Sequence, residues 1–250
     1  MTTAPIGFEF ENLVHRFGDV TALENATATV RPGTITGLVG RNGAGKTTLL
    51  GLAAALRPVQ KGRLLVGGQP PWENAEITTQ VCLMREKGGV FEDMKTRETL
   101  SWMADLRPNW DGEYARQLLD LFEVRIKGKP EQLSRGKRSA LSVAIALASR
   151  APLTMVDEVY LGMDAVARRM FYDQMMADYV AHPRTILLSS HLLDEVEDLM
   201  EDVIVLNRGR VAASGETDEV RRQFSTNGRL ASLTDVLVAV SGAHTEGAAR

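Results

Sequence analysis

The sequence predicts an α/β fold with a mixed, mostly parallel sheet, an N-terminal antiparallel β part and an inserted α-helical subdomain. Three observations support this prediction. After Pro152, short apolar segments alternate with segments of helical length, and such alternation is typical of a parallel sheet. The chain begins with strand and turn signals. The segment from about residue 89 to 149 has a helical pattern, which indicates a helical insert between the strands that precede and follow it.

The N-terminal part contains strands around a Gly-rich loop. Phe8 and Phe10 alternate with acidic residues, as in a half-buried strand, and Gly18-Asp19 marks a turn. Pro58 ends the helix that follows the loop. The further elements predicted here are a buried strand, that helix and two short strands, at residues 34–39, 46–56, 64–66 and 81–84.

Most of the predicted helices lie in the insert and in the C-terminal part. In the insert, two amphipathic helices are separated by the loop Pro108-Asn109-Trp110-Asp111, and a third helix is apolar almost all round, as expected of a buried helix. These three helices are predicted at residues 96–106, 112–123 and 139–149. In the C-terminal part, strands are predicted at 153–156, 185–189 and 203–206, and helices at 165–180 and 192–200.

Composition places the chain among ordinary globular proteins. Of its 250 residues, 44% are hydrophobic and 24% are charged, which excludes a wholly disordered, collagen-like or disulfide-stapled chain. The formal net charge of -3 argues against a bulk electrostatic grip on DNA or RNA. We expect no secretory leader and no membrane span, and the lone Cys82 fits a reducing compartment as a small buried residue of a strand.

The segment Gly40-Arg41-Asn42-Gly43-Ala44-Gly45-Lys46-Thr47 fits the phosphate-binding pattern G-x-x-x-x-G-K-[ST], between a predicted strand and a predicted helix. Its glycines let the backbone approach phosphates closely, and the amides of the loop would point at them. Lys46 would neutralise the β- and γ-phosphates, the Thr47 hydroxyl would coordinate Mg²⁺, and Thr48 would add a phosphate contact. A Gly-rich turn that only caps a helix would not require the lysine. The segment therefore predicts a P-loop NTPase core that binds ATP and Mg²⁺.

Two acids follow directly on the strand predicted at 153–156. Adjacent carboxylates at the end of a buried strand are costly unless a cation is near. Asp157 is then the acid on the Mg²⁺ side, and Glu158 is the candidate general base that polarises the attacking water. The alternative is that both acids only cap the next helix.

Further motifs, in their order along the chain, resemble the ATP-binding subunit of ABC transporters. Phe17 stands where that family stacks an aromatic ring on adenine, and Glu86 stands at the Q-loop position, which binds Mg²⁺ and water. Leu133-Ser134-Arg135-Gly136-Lys137 resembles the signature LSGGQ, Gly162-Met163-Asp164 the D-loop, and Ser189-Ser190-His191 the switch histidine. Each of these last three is weak alone, and the ordered set is specific.

The resemblance runs from about residue 8 to 240 and implies how the chain is divided. It implies one ATP-binding domain over residues 1–240, with an ATP-binding core at about 1–88 and 150–222 and a helical subdomain at about 89–149. Residues 241–250 are small and polar, so we expect a flexible tail.

The resemblance also implies a dimer of two ATP-binding subunits, packed head to tail around two ATP–Mg. Ser134 and Gly136 of one subunit would complete the nucleotide site of the other, and Asp164 of the D-loop would also contribute to nucleotide binding. His191 would contact the γ-phosphate and position the water or Glu158. The other three histidines, at His15, His182 and His244, are expected to be surface residues.

Several positions depart from the family pattern. Glu86 replaces the usual Gln, Arg135 replaces the first signature Gly, Lys137 replaces the signature Gln, and Val159 replaces the Pro after the paired acids. None of them removes a hydrolytic residue, so we expect an active ATPase. Slow turnover and unequal sites in a heterodimer stay open.

The implied partners are integral membrane permease subunits and a second ATP-binding subunit, without nucleic acid. The chain would then lie at the cytoplasmic face of the plasma membrane, held there by the permease. The region from Gly89-Val90-Phe91 to Trp102-Met103, with the Trp110 loop, would receive a helix of the permease, unless Phe91, Trp102 and Met103 are core residues. The motifs look most like bacterial exporter subunits of the drug, lantibiotic or antibiotic-immunity kind. Acidic residues between positions 194 and 202 are expected to form a solvated helix face.

Two other classes of protein stay open. ABC-type ATPases that act on nucleic acid or ribosomes usually carry two modules or a long coiled coil, and the 250 residues contain neither. A degenerate regulatory subunit would bind ATP with little hydrolysis. The presence of Glu158 and His191 argues against that class, whereas Arg135 and Glu86 argue for it.

Overall fold

The computed structural model describes residues 4–85, 93–226 and 228–242. The strands in these ranges are β1 Phe8–Phe17, β2 Val20–Val30, β3 Ile35–Val39, β4 Lys61–Val66, β5 Val81–Arg85, β6 Leu153–Asp157, β7 Thr185–Ser190, β8 Asp202–Asn207 and β9 Arg210–Glu216. The α-helices are α1 Lys46–Ala53, α2 Ala75–Gln80, α3 Thr96–Leu106, α4 Gly112–Leu121, α5 Arg135–Ser149, α6 Ala165–Ala181, α7 Leu193–Val196, α8 Thr217–Gln223 and α9 Leu233–Gly242.

Two sheets organise these elements. The first has three strands in the order β2-β1-β4, all paired antiparallel. The second has six strands in the order β5-β6-β7-β3-β8-β9, and only the β8–β9 pair is antiparallel. The predicted fold class is therefore confirmed. Because β6, β7 and β3 are parallel neighbours, the residues that follow these three strands meet at one edge of the sheet.

The central sheet is buried on both faces, and successive residues of its strands enter two different cores. Ile186 and Leu188 of β7 belong to the core that also contains α4, α5 and α6. Leu187, between them, packs with α1 and the antiparallel sheet. This alternation follows from the two-residue period of a strand. Continuous apolar runs such as β7 are typical of parallel strands covered on both sides.

Most predicted elements are confirmed, and the differences have local causes. The helix expected at 192–200 is interrupted: α7 ends at Val196 and a 3₁₀ turn, Glu197–Leu199, follows. Of the acids expected on a solvated face, Asp194, Glu195, Asp198 and Glu201 are exposed, and Glu197 is half-buried and accepts from the Leu233 amide. Asp202 departs from the expectation, because it is the first residue of β8, is buried and pairs with Arg31. The observed elements α2, β9, α8 and α9 are not among those predicted.

One of the three histidines that were expected on the surface is buried. His15 is buried in β1, on the side that faces the core, so the prediction for this residue is wrong. Burial, followed by the charge of Arg57, lowers the pKa of its imidazole. His182 is half-buried near Asp178, and His244 lies outside the described residues.

The buried position of Cys82 in β5 is confirmed. Across the described ranges, the helices lack the combination of length and apolar character that crossing a bilayer requires.

A buried charge network joins the helical insert to the core. The Asp178 carboxylate of α6, only 3% exposed, lies 2.8 Å from Arg150 Nη1 and 2.6 Å from Arg184 Nη2. Arg150, the residue after α5, also pairs at 2.9 Å with Asp111, whose side chain caps the start of α4. The network therefore connects the ends of two insert helices with α6 and the segment before β7.

Replacing Asp178 by Ala is expected to lower the free energy of unfolding by about 3–5 kcal/mol, because two buried guanidinium groups lose their shared carboxylate. Urea denaturation of the two purified proteins measures this difference. Asp173→Ala is the matched control on the same helix, since Asp173 forms an exposed ion pair with Arg169 and should contribute at most about 0.5 kcal/mol. An Asp178→Ala protein as stable as the Asp173→Ala protein would contradict the expectation.

Candidate nucleotide-binding site

The phosphate-loop segment, residues 40–47, connects the carboxyl end of β3 to the start of α1. Gly43 and Gly45 have positive φ angles of 80° and 107°, a conformation that favours glycine. A Cβ on Gly45 would lie 2.5 Å from the Ala22 carbonyl oxygen, and one on Gly40 would lie 2.6 Å from that of Leu206. The glycines are therefore required for the loop to pack against β2 and β8. This packing leaves Asn42 and Gly43 exposed.

Lys46, at the first position of α1, is 6% exposed and turns back into the loop. Its Nζ donates to the Gly40 carbonyl oxygen at 2.7 Å and lies 3.3 Å from Glu158 Oε1. The Arg41 carbonyl oxygen lies 3.5 Å from the same amine, so Lys46 is held against the loop whose amides would bind a phosphate group. Thr47 is exposed and Thr48 half-buried on the same turn, and no acidic residue lies in the first turn of α1. Such a helix start favours an anion.

Asp157 is the last residue of β6 and is buried. Burial raises the pKa of its carboxyl group, and interactions with the Thr47 and Ser189 hydroxyls and the charge of Lys46 compensate only in part. A divalent cation would supply the missing compensation, and a carboxylate beside a threonine hydroxyl is a donor set that Mg²⁺ accepts. Asp157 and Thr47 therefore fit the predicted Mg²⁺ site. The third predicted ligand, Glu86, lies outside the described residues.

Glu158 follows Asp157 in the left-handed conformation, with φ of 51°. This turn directs its carboxylate away from the strand, so that Oε1 lies between Lys46 Nζ at 3.3 Å and His191 Nδ1 at 3.5 Å. The same oxygen is buried and accepts no hydrogen bond from the part of the chain that is described. Unsatisfied buried acceptors are rare in folded proteins. A water held at this position would donate a proton to Oε1, as a general base requires.

A cavity of about 450 Å³ opens over the phosphate loop. Its walls come from the loop, the switch histidine, the turn after β8 and the C-terminal helix: Gly40, Arg41, Asn42, Gly43, Ala44, His191, Asn207, Arg208, Leu237 and Ser241. The last four of these residues are not among the predicted site residues. The sequence pattern indicates a turn at residues 207–209. That this turn lies next to the end of β3 follows only from the order of strands in the sheet. No motif marks Leu237 or Ser241.

Phe17 lies at the end of β1 with 40% of its surface exposed, as a ring that stacks on a base must be. The His15 and Phe17 rings pack edge to face, with their centroids 4.9 Å apart. The guanidinium carbon of Arg57 lies 4.9 Å from the centroid of the Phe17 ring. Both neighbours hold the aromatic ring in place. The geometry is compatible with the predicted stacking on adenine.

Ser134, Gly136 and Asp164 are not among the residues that line this cavity. Ser134 caps α5 and accepts from the Lys137 amide at 3.3 Å, and Asp164 caps α6 and accepts from the Ala167 amide at 2.8 Å. Gly136 packs so closely that a Cβ there would lie 2.8 Å from the Gly162 carbonyl oxygen. The start of α5 and the D-loop segment thus form one packed unit. Lys46 and Glu158 do not line the cavity either, but Lys46 contacts Gly40 and Glu158 contacts His191, which do. Ser134 and Asp164 instead accept hydrogen bonds from the first turns of their own helices.

The departure at Lys137 has a structural explanation. Its Nζ donates to the Phe122 carbonyl oxygen at 2.7 Å and pairs with Glu123 at 3.1 Å, both just after α4. Lys137 therefore connects α5 to α4 within the insert.

In the region expected to receive a permease helix, Trp102 and Leu106 of α3 are exposed, whereas Met103 packs partly against the core. Phe91 lies outside the described residues.

Comparisons with known proteins agree with the geometry. A family model described as ABC transporter matches residues 23–160, more than half of the chain. The ABC transporter ATP-binding protein YtrB of Bacillus subtilis (strain 168) is 28% identical over 219 residues, which cover 87% of this chain and 74% of YtrB. The probable multidrug ABC transporter ATP-binding protein YbhF of Escherichia coli (strain K12) is 33% identical over 208 residues, 79% of this chain and 35% of YbhF. A solved ATP-binding subunit of an ABC transporter superposes with a TM-score of 0.82 and 28% identity, covering 95% of this chain and 99% of that one.

Proposed function

The chain belongs to the ABC transporter family of ATP-binding domains, and from that premise we propose that it binds ATP with Mg²⁺, dimerises head to tail with a second ATP-binding subunit and hydrolyses ATP to power transport by separate membrane subunits. One observation carries the proposal. Lys46 Nζ, Glu158 Oε1 and His191 Nδ1 meet within 3.5 Å at the mouth of the phosphate loop. These three residue types supply a phosphate-binding cation, a general base and a group that contacts the γ-phosphate.

Binding of ATP begins with the phosphate loop. The backbone amides of residues 40–45 and the start of α1 bind the phosphates, while the adenine stacks on Phe17. Lys46 exchanges its contact with the Gly40 carbonyl for the β- and γ-phosphates, a stronger partner because both groups are charged. Thr47 and Asp157 would hold Mg²⁺, and a bound Mg²⁺ would supply positive charge to the phosphates.

Hydrolysis then depends on Glu158. Its Oε1 has Lys46 and His191 as neighbours. When Lys46 moves to the phosphates, Oε1 becomes available to accept a proton from the attacking water. His191 contacts the γ-phosphate and fixes the position of that water relative to Glu158. Nucleotide binding itself therefore prepares the base for its role.

The second subunit supplies the groups that one chain lacks at its own site. Ser134 and Gly136 of the partner copy would add a hydroxyl, an amide and the start of α5 to the γ-phosphate side. Asp164 lies just after the segment on which Gly136 packs, so it belongs to the same surface. ATP then stabilises the dimer, and hydrolysis releases it.

We assign the membrane subunits to the exposed face of α3. Trp102 and Leu106 are four residues apart on this helix and both are exposed, which suits a helix of a permease. Attachment there places the chain at the cytoplasmic face of the plasma membrane. Export is the direction we favour, because the motifs of this chain look most like those of bacterial exporter subunits.

Gly136→Ala tests the dimer. The added methyl group meets the Gly162 carbonyl and displaces the start of α5 from the D-loop segment. We expect ATP affinity of the isolated chain to change less than about twofold and ATP-dependent dimer formation to fall about tenfold or more, measured by light scattering with Mg²⁺ and a non-hydrolysable ATP analogue.

Gly51→Ala is the matched control, because a Cβ at this position of α1 meets no atom within 4 Å. Its dimerisation should equal that of the unsubstituted chain. Equal dimerisation of the Gly136→Ala protein would contradict the head-to-tail arrangement. ATP binding with only traces of phosphate release would instead favour the degenerate regulatory class.

A further inference from the structure

Tyr160 lies two residues after Glu158, in the 3₁₀ turn Val159–Gly162. Its side chain is completely buried, which is unusual for a residue with a polar tip. The ring centroid is 6.3 Å from that of His191 and 6.1 Å from that of Tyr172. The residue thus packs beside the switch histidine and lies two positions along the chain from the general base, which itself contacts that histidine.

The Tyr160 hydroxyl is bound to the carboxyl end of β7 on several sides. It donates to Ser190 Oγ at 2.8 Å and accepts from the His191 amide at 3.2 Å, and the Ser189 carbonyl oxygen lies 3.4 Å away. Ser190 Oγ in turn accepts from the Leu192 amide at 3.0 Å. The hydroxyl group therefore contacts the backbone at Ser189 and His191 directly, and it is connected to the Leu192 amide through Ser190 Oγ.

From these contacts we infer that Tyr160 is a positioning residue for ATP hydrolysis: its hydroxyl holds the backbone of His191 at a set distance from Glu158. The inference rests on the proposed function, since it assigns a role relative to the same two side chains. Glu158 and Tyr160 belong to one short turn, so the hydroxyl transmits the position of the base directly to the switch histidine.

The positioning role belongs to the Tyr160 hydroxyl group and not to its aromatic ring. Tyr172 lies in the same cluster and is also buried, but its hydroxyl has no hydrogen-bond partner within the described ranges. Burial raises the pKa of Tyr160 to about 12, so the phenol keeps its proton at neutral pH and remains a donor. The two tyrosines thus share ring, burial and surroundings and differ in what the hydroxyl contacts.

Tyr160→Phe and Tyr172→Phe remove the same atom from neighbouring rings. For Tyr160→Phe we expect kcat for ATP hydrolysis to fall about tenfold, with KM for ATP within twofold of the unsubstituted chain, because nucleotide binding uses other groups. Tyr172→Phe should leave both constants unchanged. Equal losses in the two variants, or no loss in Tyr160→Phe, would overturn the inference.

A double-mutant cycle with His191→Ala separates positioning from packing. If Tyr160 acts through His191, the Tyr160→Phe change has no further effect on kcat once the imidazole is absent. A full tenfold loss in the His191→Ala background would overturn the inference. The NMR signals of the His191 ring should also broaden or shift in Tyr160→Phe and not in Tyr172→Phe, and unchanged signals would count against it.

The same experiment distinguishes a failure of this inference from a failure of the proposed function. If His191→Ala alone leaves kcat unchanged, the proposed role of the histidine is wrong, and the inference falls with it. If His191→Ala lowers kcat and Tyr160→Phe does not, only the positioning role is wrong. Should Tyr160→Phe not fold, Ser190→Ala removes the acceptor of the same hydroxyl and is judged by the same criteria.

Discussion

Glu158→Gln is expected to lower phosphate release from ATP by about 10²- to 10⁴-fold while ATP binding is retained. The amide has the shape of the carboxylate but cannot accept a proton from the attacking water. The substitution also removes the anionic neighbour that lies 3.3 Å from Lys46 Nζ. The phosphates then have less competition for this amine, so ATP affinity should be equal or higher. Single-turnover phosphate release and equilibrium binding of a fluorescent ATP analogue measure the two effects.

Glu113→Gln is a control for this substitution, since Glu113 is an exposed acid of α4 whose side chain contacts Arg116 and Gln117 of the same helix. It should leave phosphate release unchanged. If Glu158→Gln releases phosphate as fast as the Glu113→Gln protein does, Glu158 is not the general base. The Glu158→Gln protein should in addition accumulate as an ATP-bound dimer, because the step that separates the subunits is blocked.

Lys46→Ala is expected to weaken binding of Mg–ATP by about 10- to 100-fold and to lower hydrolysis at least as much. The amine forms a charge-assisted contact with the phosphates, and such contacts contribute about 1.5–3 kcal/mol. The buried position of Lys46 strengthens the effect, because water does not replace the lost charge readily. Equilibrium binding of ATP at fixed Mg²⁺ measures the change.

Lys61→Ala removes a lysine of the same charge at the exposed start of β4 and should not alter ATP affinity. An affinity of the Lys46→Ala protein within threefold of this control would refute the assignment of the phosphate-loop lysine. Together the Lys46 and Glu158 variants separate binding from hydrolysis, because the first loses both activities and the second loses only the chemical step.

Local signals predicted a large part of this fold. The order of strands and helices followed from apolar runs and from Gly and Pro positions, and the observed bounds mostly agree. The prediction was wrong where a distant partner decided the outcome. The segment at 192–200 has a helical pattern, but Glu197 binds the start of α9 and the helix ends at Val196. His15 looked like a surface residue and is buried, because β1 turns that side to the core.

The site shows the same division. The phosphate loop and the acids at the end of β6 could be recognised from sequence, since their backbone requirements are local: positive φ at Gly43 and Gly45, and acids directly after a buried strand. The cavity walls at Leu237 and Ser241 could not, because no pattern relates the C-terminal helix to the loop. The anchoring of Lys137 at the end of α4 was equally invisible, since it depends on how two helices pack.

The residues that this protein brings to phosphate chemistry can be recognised in the sequence, because glycines, a lysine and paired acids at short spacing act through backbone geometry and charge. The meeting of Lys46, Glu158 and His191 cannot be recognised there: in the folded chain, Lys46 Nζ and His191 Nδ1 each lie within 3.5 Å of Glu158 Oε1. They are far apart along the chain, and their meeting depends on β6, β7 and β3 being neighbours in the sheet. Strand order is set by the packing of the whole core, which no short segment contains. The same order brings the Tyr160 hydroxyl to the end of β7.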